Sequence, residues 1–277
     1  MRRRGITLTE VLVAVFVVSL GMIALMTLFP LGAFSMAQAI QDDRAAQSAA
    51  NGAATLRMIW RGSLNNGTND TVLQTKFTTS SVVYLDPIGS LSSPAAPTPV
   101  ASGTIPRATL TDSANNTPTY QQVNRWFTLL DDMAFNTDGS ASQSGGAVFR
   151  QGLYSWAYML RNPAGTLATG APLPRVIDYS VVVYKGRAFG STGTALNENR
   201  FPAVGGIGTT TITITGTPNL KRGGWVLDEG SGFFYRADSL VPGNPTVITT
   251  ESPLRTTVTS VVVLDNVVEV FDRSTLE

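Results

Sequence analysis

The chain has 277 residues, of which only 14% are charged, a formal net charge of +1, and neither cysteine nor histidine. These absences exclude disulfides, thiolate catalysis and the usual hydrolase triads, and they remove the commonest general base and metal ligand. The near-neutral balance gives no electrostatic footprint for a nucleic acid, and the abundance of serine, threonine, glycine and asparagine favours β-structure and loops.

Arg2, Arg3 and Arg4 open the chain, and Ile6 to Phe29 then carries a single charge, Glu10. As a helix this stretch would extend about 36 Å at roughly 1.5 Å per residue, enough to cross a hydrocarbon core of about 30 Å. The flanking arginines predict an N-terminus in the cytoplasm and the remainder of the chain outside. The expectation is one transmembrane segment, residues 6–29. The plainest reading of this segment is an ordinary membrane anchor, and a second is a secretory signal peptide cut near Ala37-Gln38-Ala39. The length of the apolar region and the carboxylate near its start count against the signal peptide.

The residues at the start are more specific than their hydropathy. Gly5-Ile6-Thr7-Leu8-Thr9-Glu10 follows the basic tripeptide and leads into Val11-Leu12-Val13-Ala14. This resembles the processing site of type IV prepilins and type II secretion pseudopilins. The resemblance implies a leader of residues 1–5, cleavage by a prepilin peptidase after Gly5, and methylation of the new amine of Ile6. It also implies an assembly role for Glu10, paired with the cationic amine of a neighbouring subunit. Isoleucine stands where the family usually has phenylalanine after the cut, and Thr9 where it has an apolar residue. A carboxylate within a span costs several kcal/mol unless it is paired. The plainer reading is that Glu10 snorkels to the cytoplasmic headgroups.

The helical signal continues past the membrane. Residues 32–60 contain no proline, and Ala45, Ala46, Ala49, Ala50, Ala53 and Ala54 recur through them. The predicted helix therefore spans 6–61, with Gly62 placed to stop it and Pro30 expected to kink it, having no amide hydrogen and a ring that crowds the preceding turn. The long helix, with Ser19-Leu20-Gly21-Met22 and Leu56-Arg57-Met58, most resembles minor pilins of the V type.

Residues 62–119, rich in Ser, Thr, Asn, Gly and Pro, read as a low-complexity loop or linker with one strand, Ser81 to Leu85. From Tyr120 onward alternation with period 2 takes over. Tyr154, Trp156, Tyr158 and Leu160 share one side of a strand, as do Ile177, Tyr179, Val181 and Val183, with a turn at Lys185-Gly186. Thr211 to Thr215 alternates cleanly. Gly224 to Asp228 and Phe233 to Ala237 predict a hairpin around Glu229-Gly230-Ser231-Gly232. Thr257 to Leu264 and Val267 to Phe271 would close the sheet, with Asp265-Asn266 between them. The expected fold is α+β: a long N-terminal helix, transmembrane in its first half, followed by an antiparallel β-sheet domain over 120–277.

Candidate chemistry is thin, and no catalytic, cofactor or metal residues are assigned. Asp131-Asp132 and Asp228-Glu229 cannot easily act together, because strand neighbours point to opposite faces, and they read as solvated turns. Asn136-Thr137-Asp138-Gly139-Ser140 lacks the EF-hand spacing and its terminal glutamate, and reads as a turn. Gly205-Gly206-Ile207-Gly208 has no helix after it to bind phosphate. Trp225, Phe233, Phe234 and Tyr235 read as cross-strand packing. The reading is a structural subunit, a minor pilin or pseudopilin of a bacterial envelope filament. It would be anchored in the inner membrane, with other pilin-like subunits and prepilin peptidase as partners. The alternative is an anchored binding module that displays its β domain to an external ligand.

Overall fold

The computed structural model describes residues 7–65, 71–92, 105–109, 120–144, 147, 148, 150, 152–187 and 198–276. The chain divides into two units, Met1–Ala46 and Gln47–Glu277.

The described part of the first unit is helix. Helix α1 runs Leu8–Asn65, and its residues up to Ala46 belong to this unit. Large apolar residues from Leu8 to Ile40 are exposed around its circumference. A helix apolar on every side belongs in lipid or against partners. Two of its hydroxyls are satisfied within the helix: Ser19 donates to the Val15 carbonyl at 2.7 Å and Ser35 to the Leu31 carbonyl at 3.0 Å. Pro30 lies inside α1, where it cannot donate to the carbonyl of Met26.

In the second unit the rest of α1 packs on a sheet. Ala49, Ala53, Leu56 and Trp60 are buried at the four- and three-residue spacing of one helix face. The close approach occurs at Gly52, where a Cβ would meet Trp156 Cδ1 at 3.0 Å and Val181 Cγ1 at 3.1 Å. Tyr158 fixes the contact by donating its hydroxyl to the Gly52 carbonyl at 2.8 Å. The helix passes through Gly62 and ends at Asn65. An exposed glycine costs a helix only about 1 kcal/mol, too little to stop it alone.

The sheet has five strands in the order β13-β6-β5-β1-β2. These are β1 (Val82–Leu85), β2 (Arg107–Ala108), β5 (Tyr154–Arg161), β6 (Ile177–Lys185) and β13 (Val267–Leu276). All neighbours are antiparallel except β1 and β2. Strand β1, the expected strand inside the 62–119 stretch, is therefore an internal strand of the sheet. Helices α2 (Thr71–Thr79) and α3 (Pro87–Ser92) flank it in sequence, and α4 (Tyr120–Phe127) precedes the short pair β3 (Gln143–Ser144) and β4 (Ala147–Val148).

The other strands close into a six-stranded antiparallel barrel, β10-β11-β8-β7-β12-β9. They are β7 (Glu198–Gly205), β8 (Thr211–Ile214), β9 (Trp225–Asp228), β10 (Phe234–Val241), β11 (Thr246–Thr250) and β12 (Val258–Leu264). Closure satisfies every strand edge. Ile212 and Ile214 join Val226, Tyr235, Ile248, Val261 and Val263 inside, while Thr211 and Thr213 face outward. Strands β12 and β13 do not pair as successive strands of one sheet. β12 pairs with β7 and β9, β13 pairs with β6, and the turn at Asp265-Asn266 carries the chain from barrel back to sheet. The barrel is thus inserted between β6 and β13.

Leu227, Val262 and Leu264 of the barrel join Val82, Tyr84, Ala157, Met159, Val182 and Tyr184 of the sheet in one core. The register separates the two faces of the sheet: Trp156 opposes Val183 and Tyr158 opposes Val181 on the helix side, and Ala157 opposes Val182 on the barrel side. Helix, sheet and barrel form three layers. Where the β9–β10 turn of the barrel meets the sheet, a Cβ on Gly232 would sit 2.4 Å from Val82 Cγ1, and Gly232 has φ +71°. Gly232→Ala should lower the unfolding free energy by about 2–3 kcal/mol, through strain plus overpacking. Denaturant unfolding followed by tryptophan fluorescence measures it, and an unchanged midpoint would refute this account of the contact.

Candidate functional site

The start of α1 is the part of the chain built around a single charged residue. Thr7 precedes the first helical residue, and Glu10 is the third residue of the helix. The Thr7 amide donates to Glu10 Oε2 at 2.9 Å, its hydroxyl donates to the same oxygen at 3.0 Å, and the Glu10 amide reaches back to Thr7 Oγ1 at 3.4 Å. This is a capping box, in which threonine and glutamate satisfy amides that a helix start leaves free. The negative charge also lies at the positive end of the helix dipole. Both bonds use Oε2, and no hydrogen bond to Oε1 occurs among the described residues. The carboxylate is thus oriented by its own helix through one of its two oxygens. Gly5 and Ile6, the expected processing residues, lie outside the described residues.

A second charged group was not singled out in the sequence. Asp86, Arg107, Arg187 and Glu198 are all buried. Arg187 grips Asp86 with two bonds, Nη1 to Oδ1 at 2.8 Å and Nη2 to Oδ2 at 2.6 Å. Arg107 lies 3.3 Å from Asp86 Oδ2 and 2.5 Å from Glu198 Oε1. Arg187 stacks 4.2 Å over Tyr184, and the hydroxyls of Tyr84 and Tyr184 meet. Burial pushes the Asp86 carboxyl up, but the two guanidiniums outweigh it and hold the group below its ordinary range. The four residues come from the end of β1, β2, the end of β6 and the start of β7, so the group ties sheet to barrel at the barrel's point of insertion.

One of the acidic pairs needs correction. Asp228 and Glu229 are fully buried rather than solvated. Asp228 accepts from Gly230 N at 3.0 Å and Thr256 Oγ1 at 2.8 Å, and also from the Ser231 hydroxyl. Glu229 Oε2 accepts from Arg200 and Ser260, each at 2.6 Å. Through these partners they hold the β9–β10 turn to Thr256, Arg200 and Ser260. Asp132 likewise caps strand β5 by accepting from the amides of Leu153 and Tyr154. Asn136 to Ser140 is a turn closed by Asp138 accepting from the Ser140 amide at 2.9 Å. Tyr235 is in the barrel core, and Phe233 lies beneath the guanidiniums of Arg161 and Arg255 at 4.7 and 4.8 Å. Among the described residues no group of three or more acidic, histidine or cysteine side chains could hold a metal.

The distinctive geometry is therefore a glutamate-capped apolar helix, and the comparison with known families falls on the same residues. Residues 1–26 match the model of the prokaryotic N-terminal methylation motif. The chain opens on a prepilin-type methylation motif. With the long apolar helix behind it, this motif supports a type IV pilin-like or pseudopilin role and points to a structural protein rather than an enzyme. The motif implies, in general terms, processing by prepilin peptidase, association with other pilin subunits and anchoring in a membrane. No curated protein and no solved structure matches the chain.

Proposed function

We propose that the chain is a minor pilin or pseudopilin, cut after Gly5, methylated at Ile6 and built into a filament of a type IV pilus or type II secretion system. In this reading the N-terminus starts in the cytoplasm, the β domain lies outside the inner membrane, and Pro30 supplies a kink in the helix. The observation that carries the reading is the coincidence of the methylation motif with a helix start whose Glu10 is held through Oε2 and, among the described residues, makes no hydrogen bond through Oε1. That oxygen can accept the amine of a neighbouring subunit, which is largely protonated near neutrality. The runner-up, an anchored module displaying its β domain to a ligand, draws support from the barrel, an added layer on the side of the sheet away from α1.

Processing tests the reading directly. Intact-mass analysis and N-terminal sequencing of the protein from membranes should give a mature start at a methylated Ile6. A start at Ile40 would replace the reading with signal-peptidase cleavage.

A further inference from the structure

The second unit's part of α1 is covered on one side only. Ala49, Ala53, Leu56 and Trp60 are buried, while Ala50, Ala54, Arg57 and Arg61 are exposed on the side away from them. Arg57 and Arg61 make no ion pair among the described residues, and residues 47–65 of the helix contain no acid to balance them. Like charges one turn apart repel, so this face favours an anionic partner.

The first unit's part of α1 carries the complement. Residues 11–41 have no charge, and the run ends on Asp42-Asp43. Met36, Ile40, Asp42 and Asp43 are all exposed. Neither aspartate makes an ion pair among the described residues, whereas Arg44, the cation that follows, is half-buried and has an interaction of its own.

The two stretches share one spacing. Met36, Ile40 and Asp43 follow one another at four and three residues, as do Ala50, Ala54 and Arg57. At a single offset of 14 residues every member of one set meets its counterpart. A large apolar side chain stands opposite alanine twice, and then acid stands opposite base. Four-and-three spacing is what a helix presents along one stripe to a parallel neighbour.

We propose that residues 36–43 of α1 dock on residues 50–61 of α1 in a second copy of the chain, the helices parallel and staggered by about 21 Å at roughly 1.5 Å per residue. Met36 and Ile40 cover Ala50 and Ala54, Asp43 pairs with Arg57, and Arg61 adds its charge one turn further on. The proposal rests on the filament reading and gives neighbouring subunits their axial step. Two different stretches make the contact, so it is heterologous: each copy offers both, and the series continues instead of closing on a dimer.

The chain has no cysteine, so introduced pairs report cleanly. Two differently tagged full-length copies are produced together in the native envelope, one carrying Ile40→Cys and the other Ala54→Cys, and then oxidised. The mixed-tag dimer should form several times more than when Ile40→Cys is paired with Ala46→Cys, two turns lower on the helix. Adding Asp43→Arg to the Ile40→Cys copy should cut the yield roughly fivefold. Arg57→Asp in the Ala54→Cys copy should restore it, a rescue that misfolding could not give. Met36→Cys with Ala50→Cys repeats the test where the first pair fails to accumulate. Absence of both mixed dimers from copies still recovered in sheared filaments overturns the stagger and leaves the filament reading standing. Absence of the copies from filaments as well overturns both. A benzophenone attached at Ile40→Cys that captures only a different subunit assigns the stripe to another partner and overturns the proposal.

Discussion

Glu10→Gln should be inserted and cleaved like the parent chain, yet its incorporation into sheared filaments or detergent-resistant assemblies should fall at least tenfold. Glutamine is the informative replacement because of the geometry at the helix start. A capping box accepts glutamine at its third helical position as well as glutamate, so the bond from the Thr7 amide at 2.9 Å survives the substitution. What disappears is the charge. If capping is the whole role of Glu10, the glutamine variant assembles normally and Thr7→Ala is the damaging change, at about 1 kcal/mol of local helix stability.

If Glu10 meets the amine of an incoming subunit, the ranking reverses. The attraction between opposite charges grows as the dielectric falls, and removing one partner leaves a buried ammonium without compensation. Tagged protein recovered in filaments, scored beside the cleaved fraction, separates the two. Normal incorporation of cleaved Glu10→Gln would falsify the pairing role while leaving the methylation motif intact.

The helix and the central strands were legible because their signals are local. Glu10 stood out as a lone carboxylate in an apolar run, and Thr7 was available in the same pattern, since Thr7-Leu8-Thr9-Glu10 has the spacing of a capping box. Strands β5, β6, β8, β9 and β10 announced themselves by alternation. The alternate positions also held the clue to the layer that was missed. Val181, Val182 and Val183 are apolar on both parities, the mark of a strand covered on both faces. Reading only Tyr154, Trp156, Tyr158 and Leu160 described the side under α1 and left Ala157 and Met159 without a purpose. Barrel closure itself depends on which strands pair, and nothing within β12 or β13 says that one joins β7 while the other returns to β6.

Buried charge was the least legible feature, for a physical reason. An aspartate beside a glycine-rich turn is more often solvated than buried, and the partners that make burial tolerable come from distant parts of the chain. Asp228 and Glu229 illustrate this: Arg200, Thr256 and Ser260 supply their bonds. Asp86, Arg107, Arg187 and Glu198 illustrate it more strongly, since each sits alone in its own segment.

Removing one member of that quartet should cost the β domain a large share of its stability. Asp86 takes two bonds from Arg187 and a contact from Arg107, and its side chain has no exposure to solvent. Asp86→Ala would leave two guanidiniums facing the single carboxylate of Glu198, with water excluded. Breaking one partner out of a buried ion group costs about 3–5 kcal/mol, because the remaining charge is desolvated without compensation. The exposed pair of Arg222 and Asp238, 3.1 Å apart with side chains 81% and 51% accessible, provides the contrast. Arg222→Ala should change stability by no more than about 1 kcal/mol. Both variants are measured by denaturant unfolding of the solubilised full chain, with tryptophan fluorescence as the signal. Because Arg187 and Glu198 lie at the junction of β6 with the inserted barrel, limited proteolysis of Asp86→Ala should also cut there earlier than in the parent. An Asp86→Ala midpoint no lower than that of Arg222→Ala would mean that the quartet does not hold the barrel to the sheet.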